Sequence, residues 1–207
     1  MTATHNPVWY VAYASNLSLD RLTCYLAGGR PPGSRRVYAG GRDRTPPTGS
    51  VRVDLPGTLV FAGRSRVWGG AMAFHDLGGA GEVVARAYRL TFGQVSDLVA
   101  QESRHPVGHD LVQVDPQGGW QTPSQVYETL VPVGDLDGLP MLTLTTRRTL
   151  EESAPSAAYL RTILRGLHEV TGWSSERRAA YLTSARGVSP TWTPEALVQL
   201  CDEVTGA

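Results

Sequence analysis

The sequence predicts an α+β fold, and two observations carry that expectation. From Thr58 to Thr145 the chain reads as short β-rich runs separated by turn residues. Beyond Ser156 it reads as amphipathic helices. Blocks segregated in this way argue against the strand–helix alternation of a doubly wound sheet. The chain is long enough for a sizeable core, at 207 residues with 41% apolar and 18% charged. One domain over residues 1–207 is therefore expected.

The elements follow in order. Val8–Tyr13 is an apolar opening strand that breaks into Ala14-Ser15-Asn16. Ser18 stands as N-cap of the next helix, with Asp20 in its first turn, Leu19, Leu22 and Leu26 on one face, and Gly28-Gly29 as the stop. Residues 30–56, rich in Gly, Pro and Arg, read as an irregular insertion with short strands only near Val37 and Val51. Strands are expected at Thr58–Ala62, Val67–His75, Val84–Phe92, Leu111–Val114, Gln125–Val131 and Met141–Thr145. A helix over about Phe92–Arg104 separates the third from the fourth. Its apolar stripe is Val95, Leu98 and Val99, and Glu102 falls on that same stripe. In the helical part, about 156–207, Tyr159, Leu160, Ile163, Leu164 and Leu167 share helical spacing. Ser174 or Ser175 caps a short helix, and Thr193-Pro194-Glu195 starts the last one, with Leu197, Leu200 and Val204 on one face.

Composition removes several function classes. Nineteen basic and nineteen acidic residues cancel, so nucleic acid is not an expected partner. Every basic residue is Arg, a bias ascribed to base composition before function. Cys24 and Cys201 lie far apart without metal-ligand spacing, and Cys24 is explained by packing. No apolar run approaches membrane-spanning length and the first residues lack the pattern of a signal peptide, so a cytoplasmic protein without a membrane partner is expected.

Two features carry chemistry. A strand that breaks into a polar turn and then a helix, as Val11–Leu17 does, leaves backbone N–H groups able to hold a carboxylate or an oxyanion. Glu102 on an apolar stripe must find a partner or be driven toward its protonated form, and such an acid suits proton transfer. The alternative for Glu102 is a place in the last turn, reaching solvent or pairing with Arg104. Ser15 as a nucleophile, with His75, His105 or His109 as base, lacks a nucleophile elbow. His105 and His109 have i, i+4 metal spacing beside Asp110, but Pro106 and Gly108 between them favour an exposed turn. No metal site is expected.

Three separated pieces, read together, resemble a known family. Tyr13-Ala14-Ser15-Asn16-Leu17 resembles the Tyr-Gly-Ser-Asn-Leu motif of the γ-glutamylcyclotransferase-like family. Val67-Trp68-Gly69, Ala87-Tyr88-Arg89-Leu90 and Leu98…Gln101-Glu102 are similar to its sheet and catalytic-glutamate helix. Pro155-Ser156, Tyr159-Leu160, Ile163 and Gly166, with Tyr181-Leu182, are similar to its C-terminal segment. The resemblance implies a mixed β-barrel with flanking helices. It implies an enzyme that converts a γ-glutamyl amine or γ-glutamyl amino acid to 5-oxoproline and a free amine, with a small-molecule γ-glutamyl partner and no cofactor. Carried over, Glu102 is the general acid/base and the N–H groups of Ala14, Ser15, Asn16 and Leu17 hold the substrate's carboxylate or the oxyanion. Tyr13 shapes the pocket and Tyr159 offers its hydroxyl.

Two departures stand out. Ala14 replaces the motif's Gly, at about 1–2 kcal/mol if that residue needs positive φ. The insertion at 30–56 is longer than compact members need, and its Arg35, Arg36, Arg42 and Arg44 could meet an acidic group on the amine half. Two other readings stay open, namely a ligand-binding or interaction module that keeps the cradle without turnover, and a Ser15-dependent amidase. The oligomeric state is not encoded.

Overall fold

A computed structural model describes residues 3–206 except 33, 35, 66 and 190. Its strands, in chain order, are β1 (Pro7–Ala12), β2 (Ser50–Pro56), β3 (Thr58–Ala62), β4 (Met72–Asp76), β5 (Glu82–Thr91), β6 (Trp120–Gln121), β7 (Thr129–Leu136) and β8 (Leu139–Thr145). Its α-helices are α1 (Leu19–Ala27), α2 (Phe92–Glu102), α3 (Ala157–Thr171), α4 (Ser175–Thr183) and α5 (Pro194–Thr205). Six strands form a mixed sheet of order β2-β5-β1-β8-β7-β6, in which β1 runs parallel to β8 and antiparallel to β5. The fold is α+β, as the segregated sequence blocks predict.

β1 is buried from Val8 onward, and its two faces serve different layers. Trp9, Val11 and Tyr13 pack with β3, β4 and α3, whereas Val8, Tyr10 and Ala12 pack against α1 and α2. A strand covered on both sides reads as a continuous apolar run, which is why β1 was plain in the sequence.

β3 and β4 form a separate two-stranded ribbon, folded back by the β2–β3 and β4–β5 connections, and β3 adds isolated bridges to Arg186 and Glu152. The fold-over is made at Gly57, whose φ of +132° and N–H bond to the Gly81 carbonyl at 3.1 Å set the bend. A Cβ there would lie 2.6 Å from the Asp76 oxygen, so only glycine fits. The returning hairpin is tied to β8 by the Thr145 hydroxyl, which accepts from the His75 N–H at 3.2 Å and donates to the His75 carbonyl at 2.8 Å. Side-chain bonds thus close the enclosure where no ladder does.

Local chemistry sets the helix ends. Thr91 and Gln94 make a reciprocal capping box at the start of α2. Ser156, Ser174 and Thr193 cap α3, α4 and α5 through their side chains, the last two as the sequence predicts. Ser18 does not. Its hydroxyl bonds Glu169 Oε1, and Glu169 Oε2 accepts from Leu19 N–H, so a carboxylate from α3 caps α1.

Four expectations are corrected. Residues 67–71 are turn, because Gly69 sits at φ +79° and β4 starts only at Met72. Leu111–Val114 contributes a single bridge, Val114 to Trp120, since Val112 and Val114 find no apolar cover and stay exposed. Gln125–Glu128 is held in a bend by Ser124, and the strand begins at Thr129. The last part of the 30–56 insertion is regular, because β2 forms an edge of the sheet against β5.

Candidate functional site

β1 ends in a 3₁₀ turn, Ser15–Leu17, that feeds α1. Ala14 lies at φ −136°, outside the left-handed region. The penalty expected for replacing Gly therefore does not arise; Ala14 differs from Gly only by a methyl group in the wall of a cavity. Leu17 N–H bonds the Ala14 carbonyl at 2.9 Å, and the fully buried Leu17 side chain does not line that cavity. The N–H groups of Ala14, Ser15 and Asn16 have no acceptor among the described residues. The predicted cradle is thus narrowed from four N–H groups to three, with Leu17 used internally.

The turn is gripped from behind. Tyr88 and Arg86 donate to the Leu17 carbonyl at 2.8 and 3.2 Å. Gly166 of α3 lies so close that a Cβ would meet Leu17 Cβ at 2.5 Å and Ser18 N at 2.6 Å. Two backbones meet there, which accounts for a glycine inside a helix.

A small cavity of about 40 Å³ is walled by Tyr13, Ala14, Ser15, Asn16, Tyr159 and Glu102, with Tyr10 and Tyr127. The structure therefore brings together every sequence-predicted site residue except Leu17. A larger cleft of about 470 Å³ shares Ser15, Glu102, Tyr127 and Tyr159 with it. Asn16 donates to the Tyr10 hydroxyl at 3.2 Å, while its buried Oδ1 has no partner among the described residues. Tyr13 donates to the Leu144 carbonyl at 2.8 Å. The Tyr159 ring stacks on Trp68 at 5.4 Å, and its oxygen accepts from Ala73 N–H at 3.4 Å. Burial pushes the Tyr159 phenol up to about 12, and burial likewise raises Tyr10 and Tyr13, so all three keep their protons at neutral pH.

Glu102 is the last residue of α2, with its side chain 20% exposed. Its partners come from α1. The Tyr25 hydroxyl donates to Oε1, and Arg21 Nη2 stands 4.0 Å from the same oxygen. Arg104, the partner offered by the sequence, is exposed in the turn beyond the helix at φ +60°. Sequence reasoning missed Arg21, Tyr25 and Tyr38. A signal existed, since Arg21 and Tyr25 are one turn apart beside the stripe of Leu22 and Leu26, the same anomaly that singled out Glu102.

The remaining candidates separate. Of the loop arginines, Arg36 lines the larger cleft, bonding the Gln101 carbonyl at 2.5 Å. Arg42 pairs with Asp97 and Asp110, Arg44 bonds the Ala39 carbonyl, and Arg35 lies outside the described residues. No histidine ring bonds Ser15 among the described residues, although His105 shares the wall of the larger cleft with it. His105 and His109 are exposed in a turn. Both cysteines are free and buried. Among the described residues no three His, Cys, Asp or Glu side chains gather as a metal site, and no helix is long and apolar enough to cross a membrane.

A second cleft, about 460 Å³, lies where the folded-over hairpin meets the loop after β8. Its wall includes His75, Asp76, Arg147, Arg148 and Arg186. His75 is buried with Nε2 against the Pro56 carbonyl at 2.9 Å, and burial lowers its pKa.

No family model matches the chain. Among curated proteins it is 31% identical over 201 residues to Histone deacetylase 5 of Arabidopsis thaliana, covering 86% of this chain. The chain spans about 30% of the length of that relative, and the deacetylase name belongs to the longer protein. Among solved structures it superposes on a gamma-glutamyl cyclotransferase with a TM-score of 0.55 and 16% identity, over 98% of this chain and 100% of that one. A human protein described as uncharacterized protein loc79017 superposes with a TM-score of 0.52 and 18% identity, over 93% of this chain and 98% of that one. YkqA from Bacillus subtilis gives 0.52 and 16%, over 88% of this chain and 56% of that one. The chain thus shares the fold of a gamma-glutamyl cyclotransferase.

Proposed function

We propose that the protein is a γ-glutamyl cyclotransferase-like enzyme that converts a γ-glutamyl amine or γ-glutamyl amino acid to 5-oxoproline and a free amine. The observation that carries this reading is one cavity lined by both Glu102 and the turn whose Ala14, Ser15 and Asn16 N–H groups have no acceptor among the described residues. The shared fold supports it.

The two sides of the cavity are chemically opposite. Glu102 and the unpartnered Asn16 Oδ1 are acceptors that suit an α-ammonium group, and the turn N–H groups suit a carboxylate or an oxyanion. Glu102 takes a proton from the substrate's α-ammonium, and the freed amine attacks the γ-carbonyl carbon of the same molecule. Negative charge gathers on the carbonyl oxygen, where the N–H groups stabilise it. As the γ-carbon–nitrogen bond breaks, Glu102 returns a proton to the departing amine and the ring nitrogen sheds its extra proton. Because attacker and target belong to one molecule, orientation supplies much of the rate and no redox or organic cofactor is required. The Tyr159 and Tyr13 phenols, which keep their protons, shape the glutamyl end. The amine half would lie in the larger cleft, beside Arg36 and Trp68.

Incubation with a panel of γ-glutamyl amines and γ-glutamyl amino acids tests the proposal. The wild type should release 5-oxoproline, and Glu102→Gln should not. Equal rates in the two proteins would sink the mechanism, and glutamate as the product would replace cyclisation with hydrolysis.

A further inference from the structure

We propose that Arg21, Tyr25 and Tyr38 form a buried clamp that grips one oxygen of Glu102 and leaves the other facing the substrate, making them positioning residues for the acid/base step. The proposal rests on the reading of Glu102 as the acid/base group.

The geometry is directional. Arg21 Nη2 donates to the Tyr25 hydroxyl at 2.5 Å and to the Tyr38 hydroxyl at 2.8 Å. Tyr25 has one proton. With its lone pair turned to the guanidinium, that proton goes to Glu102 Oε1. Oε2 has no hydrogen-bond partner among the described residues, although Glu102 walls both the small cavity and the larger cleft. One oxygen is held and the other is presented. Burial, with the Glu102 charge second, holds the Tyr25 phenol well above its ordinary value, so it remains a donor.

The cation is placed at some cost. Arg21 is 3% exposed, and its Nε and Nη1 are buried without partners among the described residues. The guanidinium lies 4.6 Å from the Tyr25 and Tyr38 ring centres and 5.8 Å from that of Trp68, so aromatic faces stand in for the missing acceptors. An apolar side chain would fill a purely structural position without that desolvation. The carboxylate within ion-pair range of Arg21 is Glu102, which sits at the end of α2 where the helix carbonyls repel an anion. The clamp offsets that repulsion and fixes the rotamer at the same time.

Tyr25→Phe removes the bond to Glu102 and keeps the ring. Its kcat should fall about tenfold, with KM within twofold of wild type and the protein still folded at the assay temperature, because a charge-assisted bond that orients the carboxylate is lost. Tyr38→Phe should lose less. Arg21→Lys should lose kcat too, since an ammonium is more strongly hydrated and has no planar face to lie over the Tyr25 and Tyr38 rings. Wild-type kcat in Tyr25→Phe, or a loss confined to KM, would overturn the clamp. A second readout stands apart from turnover: the carboxyl ¹³C resonance of Glu102, assigned by its absence in Glu102→Gln, should shift in Tyr25→Phe. An unmoved resonance overturns the clamp even if the enzyme reading holds. A moved resonance in a protein that releases no 5-oxoproline upholds the clamp and rejects the activity.

Discussion

Two clefts of nearly equal volume, about 470 and 460 Å³, differ in how their charges are settled. In the second, Arg147 pairs with Asp115, Arg148 with Glu128, and Arg186 with both Asp76 and Glu152. Each cation there has its anion, at positions open enough for water to screen them. In the first and the small cavity that shares its wall, among the described residues, the buried Arg21 guanidinium keeps two nitrogens without acceptors, Asn16 keeps a bare carbonyl oxygen, and the turn keeps the Ala14, Ser15 and Asn16 N–H groups free. Volume does not tell the two apart. Unspent hydrogen-bonding capacity differs in degree. Among the described residues the second cleft keeps the buried His75 Nδ1 without a partner, whereas the first side keeps several such groups, which are costly to bury and which a ligand can satisfy.

The largest effect should come from changing one charged residue in each cleft. Glu102→Gln should lower 5-oxoproline release by about 10²–10⁴-fold, the usual weight of a general acid/base. Arg147→Gln should leave the rate within about twofold. A comparable loss from both changes, measured as initial rates, would erase the distinction.

Next is the backbone contact behind the cradle. Gly166→Ala inserts a methyl group where Leu17 and Ser18 already stand, and should cost about 1–3 kcal/mol in urea denaturation. Turnover should fall as well, because α3 cannot yield without moving the turn. Unchanged stability would mean that the turn is not fixed from that side. Thr91→Ala, which deletes the capping box of α2, should cost about 1 kcal/mol and loosen the helix that carries Glu102. Denaturation midpoints compared at constant slope would detect it.

The smallest effect belongs to His75, in the wall of the second cleft. Its folded pKa is depressed, so the unfolded chain takes up the proton first as the medium is acidified. The stability held by neutral His75 is complete above about pH 6.5 and is lost as pH falls from there through the folded value. His75→Gln should flatten the stability profile between about pH 7 and 5. Parallel profiles for the two proteins would show that His75 does not supply the slope.

What the sequence disclosed follows from how local each determinant is. The caps at Ser174 and Thr193 and the apolar stripes of α2, α3 and α5 are written within a few residues, and each forms where expected. Glu102 was visible for the same reason, as an acid out of place on a stripe. Leu111–Val114 has strand propensity but no neighbour to cover it, and propensity without packing does not make a strand. Glu169 as the cap of α1 could not be read from α1 at all, since it arrives from α3. The clamp was hidden likewise, because Tyr38 lies in the irregular segment and its meeting with Arg21 is a tertiary event. Ala14 misled in the other direction, as a motif comparison cannot show that its φ is negative.

The run from Tyr13 to Tyr25 has a kinetic consequence. It contains the cradle together with Arg21 and Tyr25, whereas Glu102 lies 77 residues further along the chain than Tyr25. Assembling the site therefore needs long loop closures after the local pieces exist, among them the approach of Tyr127 and Tyr159 and the docking of α2 on α1. A transient parting of those two helices would disarm the protein while leaving each piece folded. The lifetime of the assembled site would then be shorter than the lifetime of the fold.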